Sequence, residues 1–372
     1  MRLTDLSITN FRNLTDVKVH FDNQINIIVG ENGQGKTSIL EAIYYLTITK
    51  SFRANSEKFA LQHDKEFFNI SGDFIADNDE ALQLRVYYSP QEGKHVFLNK
   101  KEVEKFSQVV GLVPIILLSL DDLELTYGIP QNRRRFLDIL LSQVSPLYLQ
   151  ALQFYKRILT QRNKLLAGIN DGQGEAKDLF PWDEQLVKYG AEIIQHRLNF
   201  VEFANRALSW YYDEIAATKD RIQIRYKCSV GKFQPGTGAN EIEDAFRELL
   251  AKTTAADIAR GSTQTGPHRD DLFFLKNGFL FKAYASQGEN KTLLIALKFV
   301  ESDYLQQRVN ENPLFLLDDI FGELDNIRIT RLMDGLKDRG QTFITTTLLE
   351  KFSRDKQLTA DVFEIKQGAL MQ

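Results

Sequence analysis

Residues 30–37 read Gly30-Glu31-Asn32-Gly33-Gln34-Gly35-Lys36-Thr37, which fits the pattern G-x-x-x-x-G-K-[ST] of phosphate-binding loops. The octet follows a mostly apolar run at 25–29, which predicts a buried strand, and it leads into 38–43, whose apolar spacing predicts a helix. In this setting the glycines let backbone N–H groups turn towards phosphate, and the helix N-terminus adds a partial positive charge. The octet, with Ser38 behind it, therefore predicts nucleotide binding.

Two side chains of the octet have separate roles in this chemistry. Lys36 can reach the β- and γ-phosphates of a bound nucleotide, and the Thr37 hydroxyl can ligate Mg²⁺. The cofactors that we expect are therefore ATP and Mg²⁺.

A second apolar run, at 313–317, ends in the two carboxylates Asp318 and Asp319. This pattern predicts a buried parallel strand with acids at its C-terminal end. In ATPases with a phosphate-binding loop, such an acid supports Mg²⁺ beside the loop threonine, which makes Asp318 the candidate metal residue. Asp319 is the candidate to orient or deprotonate the attacking water. Because this run lies far from the octet in sequence, we expect the two ends of the chain to build one sheet.

Ser286, Gln287 and Gly288 precede an amphipathic stretch, so they are predicted to begin a helix whose N-terminus can receive an anion. The tripeptide resembles the signature motif of ATP-binding-cassette (ABC) ATPases, in which this serine contacts the γ-phosphate held by the partner protomer. Glu323-Leu324-Asp325 resembles the dimer-contacting loop of the same class. Together they predict a homodimer that closes around two ATP molecules.

Composition limits the kind of protein this is. The chain has 372 residues, 43% of them hydrophobic and 26% charged, and the single cysteine Cys228 excludes an intrachain disulfide. The sequence contains neither a signal-peptide core nor an apolar stretch of membrane-span length, so a cytoplasmic location is expected. With a formal net charge of −4, any contact with nucleic acid must come from local basic patches.

The predicted fold class is α/β: an ABC-type ATPase head with a phosphate-binding loop, a β-rich subdomain and a mainly helical inserted lobe. Residues 1–120 show the alternation of apolar and polar residues, and the turn residues, that are typical of strands around one helix. After Asp121 the apolar residues recur with helical spacing over long stretches. We assign 1–124 and 251–372 to the head and 125–250 to the insertion.

The chain resembles the RecF family, bacterial recombination and repair proteins related to the heads of SMC-type chromosome ATPases. The resemblance covers essentially the whole chain and rests on blocks in the family's order: Ile8–Asn13, Gly30–Thr37, Ser51–Arg53, Arg133–Asp138, Thr265–Leu272, Ala285–Gly288, Leu317–Asp319 and Glu323–Asp325. The chain departs from the family after Gly288, where Glu289 and Asn290 replace the usual glutamine pair.

The resemblance implies an ATP-dependent, DNA-binding repair mediator. Such proteins bind duplex DNA and gapped junctions of single- and double-stranded DNA as ATP-closed dimers, without sequence preference. They act with RecR and RecO to help load RecA, and so support recombinational gap repair, replication restart and SOS induction. Their weak, DNA-stimulated ATPase serves as a switch. Asp319 offers a chemical reason for slow turnover, since related ATPases usually carry the longer Glu there.

The basic residues have more than one interpretation. Arg12 and Arg53 lie in family-like blocks beside the loop, so either could contact ATP or DNA, and we assign Arg12 to the nucleotide. Arg133, Arg134 and Arg135 at a helix start could grip DNA phosphates, or they could form a solvated or salt-bridged helix turn.

Two other classes of protein remain as alternatives. The ATP-binding subunit of a transporter, or of another SMC-like assembly, shares the same motifs. A transporter subunit, however, predicts a much shorter interval than the one between Lys36 and Ser286. An ATPase-coupled nuclease would need an acidic metal-binding domain after the predicted terminal strand at 362–366.

Overall fold

A computed structural model describes residues 1–54, 56–349 and 359–371. In the described part of the chain the strands are β1 (Arg2–Phe11), β2 (Leu14–His20), β3 (Ile25–Val29), β4 (Phe68–Ile75), β5 (Ala81–Ser89), β6 (Gly93–Leu98), β7 (Lys101–Glu102), β8 (Ile115–Ser119), β9 (Ile222–Lys227), β10 (Asp271–Lys276), β11 (Phe279–Leu280), β12 (Leu314–Asp318), β13 (Thr342–Thr346), β14 (Ala360–Lys366) and β15 (Ala369–Met371). The helices are α1 (Lys36–Ile48), α2 (Glu124–Tyr127), α3 (Pro130–Val144), α4 (Pro146–Asn170), α5 (Phe180–Ala216), α6 (Ala239–Arg260), α7 (Phe281–Tyr284), α8 (Gln287–Val309) and α9 (Asn326–Leu336).

The chain divides into two units. Unit 1 comprises Met1–Leu123, Tyr211–Thr218 and Ser286–Gln372, and unit 2 comprises Glu124–Trp210 and Lys219–Ala285. The first break lies close to the predicted boundary at 124. Residues 251–285, predicted to join the head, cluster with unit 2, because β10 within them pairs with β9.

A six-stranded sheet in unit 1 carries the phosphate-binding loop. Its order is β15-β14-β3-β13-β12-β8, with β15 antiparallel to β14 and the other five strands parallel. The strand before the octet, β3, lies between β13 and β14 from the far end of the chain. The expectation that both chain ends build one sheet is therefore confirmed.

Unit 1 also contains the predicted β-rich part, an antiparallel sheet in the order β2-β1-β4-β5-β6-β7. Helix α1 packs against strands of both sheets and is buried along most of its length, which explains its nearly continuous apolar sequence. It ends at Ile48, and the next residue, Thr49, has a φ of 58°, in the left-handed region. The shared apolar core fixes α1, and with it the loop, relative to both sheets.

Unit 2 consists mainly of helices α3, α4, α5 up to Trp210, and α6, together with the three-stranded sheet β11-β10-β9. Buried arginine–carboxylate pairs tie its segments together. Arg162, which is fully buried, donates to Asp257 at 2.8 Å and to Asp183 at 2.6 Å, and Arg197 donates to Asp138 at 2.9 Å. Breaking such a buried pair typically costs about 3–5 kcal/mol, so these arginines have structural roles.

His268, from the family-like block at 265–272, is a half-buried residue of unit 2. Its Nδ1 lies 2.7 Å from the Tyr155 hydroxyl and its Nε2 lies 3.1 Å from the Thr263 carbonyl oxygen. Since a carbonyl only accepts, Nε2 carries the proton and Nδ1 accepts from Tyr155. Burial lowers the pKa of His268 to about 4, and nearby arginines add to the shift.

Searching the described residues reveals no helix that combines the length and apolar character needed to cross a membrane.

Unit 2 should lose stability when His268 is forced to protonate. The unfolded chain binds this proton near pH 6.5 and the folded chain only near pH 4, so stability is full above pH 6.5 and is lost as pH falls towards 4. His268 alone should lower the free energy of unfolding by about 2 kcal/mol between pH 7.5 and pH 5. Urea titrations followed by Trp182 and Trp210 fluorescence measure unit 2, because both tryptophans lie there.

The control for this prediction separates His268 from other titrating groups. His268→Asn should show a flatter pH dependence than the wild type, whereas His63→Asn, at a side chain that is 93% exposed, should keep the wild-type dependence. Equal pH dependence in the wild type and His268→Asn would contradict the assignment.

Candidate nucleotide-binding site

The phosphate-binding loop has a backbone path that requires glycine at two positions. Gly35, directly before α1, has φ of 114°, and a Cβ there would lie 2.8 Å from Leu14 Cδ2. A Cβ on Gly30 would lie 2.5 Å from the carbonyl oxygen of Ile365 in β14. The loop is therefore packed against both ends of the chain, which explains the glycines in the octet independently of any ligand.

Hydrogen bonds from outside the octet hold the loop in place. Asn13 donates from Nδ2 to the Gly33 carbonyl at 3.0 Å, and its Oδ1 accepts from the Ser38 hydroxyl at 2.9 Å. The backbone N–H of Gly368 donates to the Gln34 carbonyl at 3.0 Å. The predicted binding residue Ser38 is thus a buried support for the loop.

Lys36 lies at the start of α1 with its ammonium directed back into the loop. Its Nζ donates to the carbonyl oxygens of Gly30 at 2.7 Å and Glu31 at 2.9 Å. Burial lowers the pKa of Lys36, and the carboxylates of Asp319 and Asp318 oppose that shift. A cation is thereby held beside the helix N-terminus, where both attract phosphate.

Thr37 and Asp318 meet as the sequence predicted. The Thr37 hydroxyl donates to Asp318 Oδ1 at 2.7 Å across 281 residues of chain, and the Thr345 hydroxyl donates to the same oxygen at 2.8 Å. Burial raises the pKa of Asp318, while these two hydrogen bonds act in the opposite direction. A hydroxyl and a carboxylate side by side suit Mg²⁺, which takes one or two carboxylates together with waters and substrate phosphates.

Asp319 follows β12 in a strained backbone conformation. Its φ is 51°, in the left-handed region that few non-glycine residues adopt, and its N–H donates to Thr345 Oγ1 at 3.0 Å. The residue lines a cavity of about 480 Å³ together with Asn32, Lys36 and Thr37. Asp318 therefore contacts the loop threonine, whereas Asp319 lies on the cavity wall.

A buried carboxylate, Glu41 in α1, positions the arginines of this cavity. Arg12 donates to Glu41 through Nε at 2.9 Å and Nη2 at 2.6 Å, and Ser51 Oγ donates to the same carboxylate at 2.5 Å. Arg53 Nη1 lies 3.8 Å from Glu41. Because Arg12 and Arg53 both line the cavity, they can present positive charge to an anion there.

Ser286, Gln287 and Gly288 begin α8 as predicted, and Ser286 is its N-cap. Ser286 and Gln287 are exposed. Within the described residues, this tripeptide does not contribute to the cavity lining. The predicted nucleotide residues of one protomer thus fall into two groups: those of the loop with Asp318, Asp319 and Arg12, and those of the α8 start.

Two cations bind the start of α8 to the loop at 323–325. Lys291 Nζ donates to the Glu323 carbonyl at 2.5 Å and lies 3.2 Å from its carboxylate. Arg328 pairs with Asp325 and donates from Nε to Thr292 Oγ1 at 2.9 Å. A Cβ at Gly288 would lie 3.0 Å from Arg328 Nη2, so a larger residue there would crowd this guanidinium.

Comparison with known proteins agrees with this architecture. A family model for the RecF/RecN/SMC N terminal domain matches residues 2–370. The DNA replication and repair protein RecF of Chloroherpeton thalassium is 40% identical over 361 residues, covering 96% of this chain and 98% of that protein. RecF of Bacillus subtilis is 35% identical over 373 residues, the full length of both. The chain belongs to the RecF family.

Solved structures extend this result to the fold. The recombination mediator protein RecF-ATP in the RecFOR pathway superposes with a TM-score of 0.90 at 31% identity, covering 99% of this chain and 96% of that one. An Smc head bound to the C-winged helix domain of ScpA superposes with a TM-score of 0.55 at 14% identity, which shows the fold alone. The RecF-family chain therefore has the predicted ABC-type head.

The arginine triplet at 133–135 does not form one exposed patch. Arg133 is buried and donates to Asp271 through Nε at 2.7 Å and Nη2 at 3.0 Å. Arg134 is half-buried and donates to the Asp270 carbonyl at 2.7 Å, while Arg135 is exposed. The predicted DNA contact by Arg133 is contradicted, because its guanidinium is committed to a buried carboxylate.

Several residues that shape the site lie outside the nucleotide-binding motifs. Thr345 joins Asp318 to the Asp319 backbone, Glu41 holds the arginines, and Asn13 supports the loop. Asn13 lies in a block that resembles the RecF family, so that resemblance could have found it. Thr345 and Glu41 could be identified only once β13 and α1 were placed beside the loop.

Substitutions of Asp318 and Asp319 should cause different defects in this RecF-family protein. Asp318→Asn should weaken Mg²⁺-dependent ATP binding by roughly ten- to a hundredfold, because a neutral amide is a poorer ligand for a hard cation. Asp319→Asn should keep that binding and lower turnover by roughly 10²–10⁴-fold, because the attacking water loses its carboxylate. Titration with a fluorescent ATP analogue and steady-state phosphate release measure the two effects. Equal loss of ATP affinity in both variants would contradict the division of roles.

Thr345→Val should damage the site and the fold together. It leaves the Asp319 N–H without its acceptor and removes a donor from Asp318, so we expect about 1–3 kcal/mol loss in the free energy of unfolding and slower ATP turnover. Circular dichroism during urea unfolding follows both units, whereas tryptophan fluorescence follows unit 2 alone, so a loss of stability seen only by circular dichroism belongs to unit 1, which contains neither tryptophan. Thr342→Val is the matched control, equally buried at the opposite end of β13, and should leave turnover unchanged. Equal turnover in the two variants would contradict the role of Thr345.

Proposed function

We propose that this protein is an ATP-dependent, DNA-binding repair mediator that dimerises on ATP and uses slow hydrolysis as a switch. The observation that carries the proposal is the division of the site. Lys36 and Thr37 line a cavity, with Asp318 hydrogen-bonded to Thr37. Ser286 begins a helix elsewhere on the same unit and is exposed. The loop lacks a second contact to the γ-phosphate, which a Ser286 helix start from a partner would supply.

The phosphate half is suited to hold Mg²⁺-ATP. Loop N–H groups, Lys36 and the start of α1 receive phosphate charge, and Thr37 with Asp318 would hold the metal. The chemistry that Mg²⁺ would supply at these two residues is neutralisation of phosphate charge. Asp319 would orient the water from the cavity wall, and Arg12, fixed by Glu41, would add positive charge there.

Closure of a two-fold dimer would complete each site. A partner's Ser286 helix end offers N–H groups and a hydroxyl to the γ-phosphate, and the same surface recurs on the first protomer by symmetry. Bound ATP then stabilises the dimer by contacting both protomers, and its hydrolysis allows the protomers to dissociate. This mechanism needs few turnovers, as expected of a switch.

The DNA side of the proposal rests on family membership. The full-length relatives are named DNA replication and repair proteins, and a RecF structure is described as a recombination mediator in the RecFOR pathway. We therefore propose sequence-independent binding of duplex DNA and gapped junctions in the cytoplasm. RecR and RecO would be the partners, with RecA loading, gap repair, replication restart and SOS induction as the outcomes.

The transporter alternative has weaker support than this proposal. RecF relatives cover 96–100% of the chain at 33–40% identity, whereas the similarity to an Smc head shows the fold alone. The closing experiment therefore uses DNA together with nucleotide.

Sedimentation velocity of the wild type with Mg²⁺-ATP should show dimers that are absent without nucleotide, and labelled gapped duplex should bind more tightly when ATP is present. Ser286→Arg should still bind ATP through its own loop, yet it should form no ATP-dependent dimer and show no turnover, because a bulky cation blocks the helix end. ATP-dependent dimers of Ser286→Arg would contradict the shared site. DNA affinity of the wild type that is indifferent to ATP would contradict the switch.

A further inference from the structure

The start of α8 is already occupied by a carboxylate of its own chain. The Ser286 N–H donates to Glu289 Oε2 at 2.7 Å, and the Ser286 hydroxyl accepts from the Glu289 N–H at 3.2 Å, which forms a reciprocal capping box. Asn290 adds to this arrangement by donating from Nδ2 to the Ser286 carbonyl at 2.9 Å. The Ser286 N–H, a donor that the helix start could offer to a phosphate, is therefore engaged by the Glu289 carboxylate, and the Glu289 N–H is engaged by the Ser286 hydroxyl.

A capping glutamate and a phosphate compete for the same electrostatic environment. Each is an anion attracted by the partial positive charge and the unpaired N–H groups of a helix N-terminus. A phosphate arriving at Ser286 must displace the Glu289 carboxylate or lie beside its negative charge. Either event makes the approach of phosphate less favourable than it would be with a neutral residue at position 289.

The surrounding charges do not favour phosphate either. Lys291 of α8 is paired with Glu323, and Arg328 of α9 is paired with Asp325. Each of these two cations would have to leave a carboxylate of its own chain before it could pair with an arriving phosphate.

We propose that Glu289 is an intrachain competitor for the nucleotide phosphate of the partner protomer, and that it sets the threshold for ATP-dependent dimerisation. This inference rests on the proposed function, since it concerns the same shared site. Glu289 holds Ser286 in a closed hydrogen-bond pair in the separate protomer. Closure of the dimer requires the pair to open, so the affinity between protomers is lower than the contacts alone would allow.

Glu289→Gln tests this inference with little change in structure, because glutamine can also complete a capping box. Removing the charge should improve phosphate acceptance by roughly two- to fivefold at each site, the size of one charge at a helix N-terminus. Because both sites of the dimer form in the same closure event, the two effects multiply. The dimer dissociation constant in saturating Mg²⁺-ATP should therefore fall by roughly four- to 25-fold. Sedimentation velocity over a protein dilution series measures that constant, and circular dichroism verifies the fold.

The matched control is Glu241→Gln. Glu241 is likewise the third residue of its helix, α6, and is exposed, so the substitution makes the same change in net charge at the same helical position. It should leave the dimer constant at the wild-type value. An equal effect of both substitutions would assign the change to net charge and overturn the inference.

The remaining outcomes separate this inference from the proposed function. If the wild type dimerises on ATP and Glu289→Gln does so no more tightly, the competitor role is wrong and the proposed function stands. If Glu289→Gln dimerises on ATP where the wild type does not, the inference is supported. If neither protein dimerises on ATP, the proposed function fails and the inference falls with it.

Discussion

The hydrogen bond from the Thr37 hydroxyl to Asp318 is the contact on which the rest of the site depends, because it joins residues 281 positions apart. It can form only if β3 lies in the same parallel sheet as β12, and the intervening strand β13 supplies Thr345 to the same carboxylate. The geometry of the candidate site is therefore a consequence of interleaving the two chain ends. Any change that shifts the register of these strands would separate Thr37 from Asp318.

Buried carboxylates do much of the positioning around this contact. Glu41 holds Arg12 beside the cavity, and Asp271 holds the Arg133 guanidinium in a buried position within unit 2. Desolvating such pairs is costly, so their benefit lies in holding a guanidinium in one orientation. Glu289 differs from both because it lies at an exposed helix start, where its hydrogen bonds can be exchanged for those of another anion.

Features that depend on local chemistry could be predicted from the sequence. The strand, loop and helix around Lys36 and the paired acids at 318–319 lie where their spacing predicted, since glycine geometry and apolar periodicity act over a few residues. Features that depend on distant packing could not be predicted. The grouping of 251–285 with unit 2 follows from the pairing of β10 with β9, and burial of the arginine at 133 cannot be inferred from a run of like charges.

The central claim is that each ATP site is composed of Lys36 from one protomer and Ser286 from the other. The most direct test is ATP turnover by an equal mixture of Lys36→Ala and Ser286→Arg proteins, each inactive alone. In a mixed dimer one of the two sites retains both native residues, so the mixture should recover about a quarter of the wild-type rate if protomers exchange at random. No recovery in a mixture that forms mixed dimers would contradict the account.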